Sequence, residues 1–100
     1  MSDPIKLAEK AFTAELVRES SFGTQYIGEH ASTMTLYGLP DKAGAAFIEW
    51  DIPDLEDCVE IGLSFDVRKH LIDYDGVFSL PKEAVALIRE AGFIIGESFE

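Results

Sequence analysis

The chain is poor in cysteine, in positive charge and in long apolar runs. Cys58 is its one cysteine, which excludes an internal disulfide and any cysteine-cluster zinc site. Eight Lys and Arg stand against nineteen Asp and Glu, a formal net charge of −11 on 100 residues. Such a field repels a phosphate backbone, so direct nucleic-acid binding through a basic patch is disfavoured. No stretch approaches the roughly 20 apolar residues of a membrane helix. The opening "MSDPIKLAEK" has no basic segment leading into an apolar run, so it does not read as a signal peptide. These absences predict a cytoplasmic protein with no membrane role. Neither G-x-x-x-x-G-K-[ST] nor G-x-G-x-x-G occurs, which removes the phosphate-cradling loops. His30 and His70 show no metal-ligand spacing, and no cofactor is implied.

What is present suits one packed domain over residues 1–100. The hydrophobic fraction is 47%, with 11% aromatic residues, enough bulky material to build a core rather than a disordered chain. At the N-terminus Asp3 can cap a helix, Pro4 suits its first position, and Ile5, Ala8, Phe12 and Leu16 recur at three- and four-residue spacing. An N-terminal helix ending near Ser20, Ser21 and Gly23 is therefore expected. Residues 21–31 give no clear pattern. After them "STMTLYGL" alternates, with Met34 and Leu36 on one side, as a half-buried strand does.

Two clearer strands follow. In "AAFIEWDI" Ala46, Ile48, Trp50 and Ile52 share one face, and Phe47, Glu49 and Asp51 the other. In "CVEIGLSFD" Val59, Ile61, Leu63 and Phe65 alternate with Glu60, Gly62, Ser64 and Asp66. Keeping both apolar sets on one side predicts Ile52 opposite Val59, Trp50 opposite Ile61 and Ile48 opposite Leu63. That register sets Asp51 against Glu60, a like-charge pair that weakens a sheet. "LIDYDGVFSL" reads as a short hairpin whose Asp75-Gly76 turn needs positive φ, with Tyr74 facing Val77. Pro81 then opens a helix whose stripe is Ala84, Leu87, Ile88 and Ala91, with Gly92 as its terminator. "FII" beyond it can form a short strand or fold back on the core. The expected fold is α+β: an antiparallel meander of three to four strands with an N-terminal and a C-terminal helix packed on the sheet.

The chemistry-bearing patterns are few. "DYDG" begins like an EF-hand loop, but from Asp73 the fifth position is Val77 and the twelfth Ala84, where oxygen ligands are required. A turn explains it better. Cys58 with a histidine and an aspartate could be drawn as a nucleophile set. Asp54, Asp57 and Glu60 around it push a thiol pKa up, the wrong direction for a reactive thiolate. Residues 43–67 contain no Lys or Arg and seven carboxylates: Glu49, Asp51, Asp54, Glu56, Asp57, Glu60 and Asp66. This acidic belt can be a solvated rim, a docking surface for a basic protein, or a hard-cation or carboxylate-dependent catalytic site. Phe47, turned by parity toward the carboxylates, favours docking, because an exposed aromatic can anchor a partner. The functional expectation is a small acidic non-catalytic binding module of the inhibitor, immunity, antitoxin or charge-mimic kind. Its expected contact residues are Phe47, Glu49, Asp51, Asp54, Asp57 and Glu60.

Overall fold

A computed structural model describes residues 3–20, 23–53, 56–77 and 80–99, with backbone alone for 15–20, 23–28, 57 and 98. Five strands form one antiparallel sheet in the order of the chain: β1 (Ile5–Ser20), β2 (Gly23–Gly38), β3 (Ala45–Ile52), β4 (Asp57–Phe65) and β5 (Leu71–Asp75). One helix, α1 (Lys82–Glu90), and a short 3-10 turn at Glu97–Phe99 follow. The architecture is α+β-like, but the expected N-terminal helix is absent and the meander has five strands.

The N-terminal segment is β1, paired with β2 from Ile5↔Gly38 to Ser20↔Gly23. Positions 8, 12 and 16 are four apart, a spacing that suits a helical turn and, being even, also one face of a strand. The intervening residues decide the matter. Ala8, Lys10, Phe12 and Ala14 are at least partly buried, whereas Glu9, Ala11 and Thr13 are exposed, which is period two. Lys10 hides this alternation because its charge sits at an inward position. Pairing with β2 overrides local helical preference. The patternless 23–31 stretch is the first part of β2, and residues 21 and 22 lie outside the described set.

The β3–β4 faces are as parity predicts, but the register is two residues tighter. Trp50 pairs with Val59, Ile48 with Ile61 and Ala46 with Leu63, and the ladder closes at Ile52↔Asp57. The loop between them is therefore four residues long. Its last residue, Glu56, adopts φ 50 and donates its N–H to the Pro53 carbonyl at 3.0 Å. A backbone-closed turn lets the strands pair further toward the loop than composition alone suggested.

Among the described residues the hairpin expected at Asp75-Gly76 is not seen, and its second arm falls partly on Phe78 and Ser79, which lie outside them. Residues 71–75 pair with β4 as an edge strand, and Tyr74 lies opposite Leu63 rather than Val77. Gly76 does take positive φ, at 93, but it serves as the exit from β5.

One face of the sheet carries the core. Met34, Leu36, Ile48 and Ile61 are completely buried together with Leu87 and Ile88 of α1, and Ala84 and Val85 complete the contact. Pro81 precedes α1 in an extended conformation. The helix ends in a Schellman motif: Gly92 N–H bonds to Arg89 O at 3.0 Å and Phe93 N–H to Ile88 O at 3.2 Å. Gly92 sits at φ 94, so this terminator behaves as expected. The following apolar residues fold back on the core, and of the alternative short strand there is only an isolated bridge. Phe93 stacks on Phe65 with centroids 4.1 Å apart, Ile94 makes a parallel bridge to His70, and Ile95 is buried. Among the described residues no helix is long and apolar enough to cross a membrane.

Asp66 organises the turn between β4 and β5. Its carboxylate accepts the N–H groups of Arg68 and His70, each at 2.9 Å, and lies 3.3 Å from His70 Nδ1. The His70 N–H is the main cause that holds the Asp66 carboxyl below its ordinary value, against a smaller opposing effect of desolvation. A lowered folded pKa contributes stability above the unfolded pKa, and this is lost as pH falls through the folded one. The stability gap between wild type and Asp66→Ala, from urea titrations, should thus narrow below about pH 4. A gap constant from pH 7 to pH 2 would contradict this role.

Candidate protein-docking face

The sheet face away from α1 is covered by no described element. An antiparallel sheet tolerates this when the open face is polar, and here the side chains fall in rows across the strands. One row is Glu9, Thr35, Glu49 and Glu60 on β1 to β4. A second is Tyr37, Phe47, Gly62 and Asp75 on β2 to β5. A third holds Thr33, Asp51 and Cys58, and a fourth Ala45, Ser64 and Asp73.

The structure therefore brings Phe47, Glu49, Asp51 and Glu60 together. Glu49 stands directly opposite Glu60, so the like-charge pair exists but involves Glu49 where Asp51 was expected. The tighter register is the reason. All three carboxylate residues are exposed, and among the described residues none of them makes a salt bridge. Asp54 lies outside the described residues. Asp57 is described only as backbone, paired with Ile52.

Phe47 is half-buried and stacks on Tyr37, with ring centroids 5.2 Å apart and planes 25° from parallel. The pair forms an apolar island among carboxylates. On one flank Glu9 is engaged, its Oε2 accepting from Thr35 Oγ1 at 3.2 Å and lying 3.2 Å from Lys6 Nζ. On the other flank, toward β5, a depression of about 260 Å³ opens beside Phe47, bordered by Glu60, Gly62, Ser64, Asp73 and Asp75. Cys58, exposed and outside any disulfide, lies at the edge of the face. Among the described residues no group of three or more His, Cys, Asp or Glu could hold a metal ion.

Sequence reasoning missed Tyr37, Asp73 and Asp75. Tyr37 shares the outward parity of Thr33 and Thr35, a usable signal, but only the β2–β3 register shows that it meets Phe47. The two aspartates were absorbed into a supposed hairpin turn. The chain matches no protein-family model, no curated protein and no solved structure.

The Glu49–Glu60 opposition gives a direct test of the register. Directly opposed like charges destabilise a sheet by a few tenths to about 1 kcal/mol. Glu60→Lys should therefore raise stability by roughly that amount at low salt, and added salt should stabilise wild type while shrinking the gain. Clear destabilisation by Glu60→Lys in a low-salt thermal melt would contradict the pairing.

Proposed function

We propose that the chain is a non-catalytic binding module that docks a basic protein on its open sheet face. The observation that carries this reading is the stacked Tyr37–Phe47 pair on a face that no described element covers, beside an opposed Glu49–Glu60 pair that no described residue bridges. Each part is unfavourable in the isolated molecule. Aromatic surface is left half in water, and two carboxylates repel across adjacent strands. A partner presenting cations around an apolar patch relieves both, as local conflicts at binding sites do. Charge complementarity selects a basic partner, since a field of −11 speeds encounter with positive surfaces and rejects acidic ones. An inhibitor or charge mimic that covers its target's own basic site would use such a face.

The test is comparative capture from cell extract, with wild type, Glu49→Lys/Glu60→Lys and Phe47→Ala immobilised in parallel. A basic protein retained by wild type and lost from both variants is the expected result. Equal retention by all three would refute docking through this face.

A further inference from the structure

We propose that the depression beside Phe47 is a seat for one arginine side chain of the docking partner. This inference rests on the docking reading and adds the chemical group that the face recognises. The depression owes its shape to Gly62, which lies between Phe47 on β3 and Asp75 on β5 in a single cross-strand row. Having no side chain, Gly62 leaves space between flanking backbones roughly 9–10 Å apart, part of which the Asp75 side chain takes up. A Cβ placed there would collide with Asp75 Oδ1, so the Asp75 carboxylate reaches in over the glycine. The aromatic wall is held from behind by Tyr37, 5.2 Å away and nearly parallel. Glu60 and Asp73 border the same space.

An aromatic ring on one side and carboxylates on the other suit a planar cation. A guanidinium can stack on the ring while its forked N–H donors bind a carboxylate, whereas an ammonium is a compact, strongly hydrated point charge without that plane. Lys42 also borders the depression, but among the described residues it makes no salt bridge with these carboxylates. It is a competing charge at the rim.

The test is a titration of the ¹⁵N-labelled protein with N-acetyl-arginine amide, whose only charge is the guanidinium, against N-acetyl-lysine amide and sodium chloride at matched ionic strength. Arginine amide should give saturable shifts at the amides of Phe47, Gly62 and Asp75, with the lysine compound binding about fivefold more weakly. Phe47→Leu and Asp75→Asn should each weaken the arginine response by a similar factor. Lys42→Ala should tighten it. Linear, unsaturating shifts spread over all exposed carboxylates, or equal binding of the two amides, would overturn the arginine seat. Such a failure beside intact partner capture condemns the seat alone, while loss of selective capture condemns the docking reading itself.

Discussion

Gly76→Ala should destabilise the fold by about 2 kcal/mol or more, lowering the melting temperature by roughly 8 °C or more for a domain of this size. Two effects add. Alanine at φ 93 carries the strain of an L-residue in the left-handed region. A Cβ there would also collide with the backbone carbonyl of Glu60 on the neighbouring strand. That carbonyl cannot retreat without disturbing β4, which is paired on both sides. Gly92→Ala separates the two contributions, because Gly92 has φ 94 and a Cβ added to it would meet nothing within 4 Å. It should show the dihedral strain alone, about 1 kcal/mol. If urea titrations find Gly76→Ala no worse than Gly92→Ala, the close approach of Gly76 to β4 is wrong.

The positive φ of Gly76 was legible from the Asp-Gly pair, but its partner was not. A turn residue announces its conformation locally, while the strand it packs against is fixed by tertiary pairing. The same division runs through the fold. Faces of β3 and β4 could be read because alternation is a property of each strand alone. Their register could not, since it depends on a four-residue turn closed by Glu56 in a conformation its composition does not advertise. α1 was readable through Pro81, its apolar stripe and Gly92. β1 was not, because Ala8, Phe12 and Leu16 satisfy two periods at once and Lys10 breaks the one that applies.

The candidate face divides likewise. Phe47, Glu49, Asp51 and Glu60 were found by parity, and the fold brings them together. Tyr37, Asp73 and Asp75 come from strands whose neighbours the sequence does not name, and Gly62 from one whose pairing with β5 it does not show. The belt was imagined along one hairpin; the face instead runs across five strands.

Replacing Glu49 and Glu60 by lysine should slow association with a basic partner by about an order of magnitude at low salt. The double reversal changes net charge from −11 to −7, two units per substitution, and does so at the centre of the face, where local field matters most. Long-range steering is screened over a Debye length of about 8–10 Å near physiological ionic strength. Wild-type and variant association rates should therefore converge as salt rises. Phe47→Ala should behave differently. Its charge is unchanged, so encounter is unaffected, but the loss of a desolvated aromatic anchor costs about 2 kcal/mol, or roughly 30-fold in dissociation rate.

The decisive measurement is stopped-flow kinetics of the captured basic partner with wild type, Glu49→Lys/Glu60→Lys and Phe47→Ala at low and high salt. Docking through the open face predicts slowed, salt-dependent association for the double reversal and faster dissociation alone for Phe47→Ala. Unchanged association of the double reversal at low salt, with circular dichroism showing an intact fold, would contradict it.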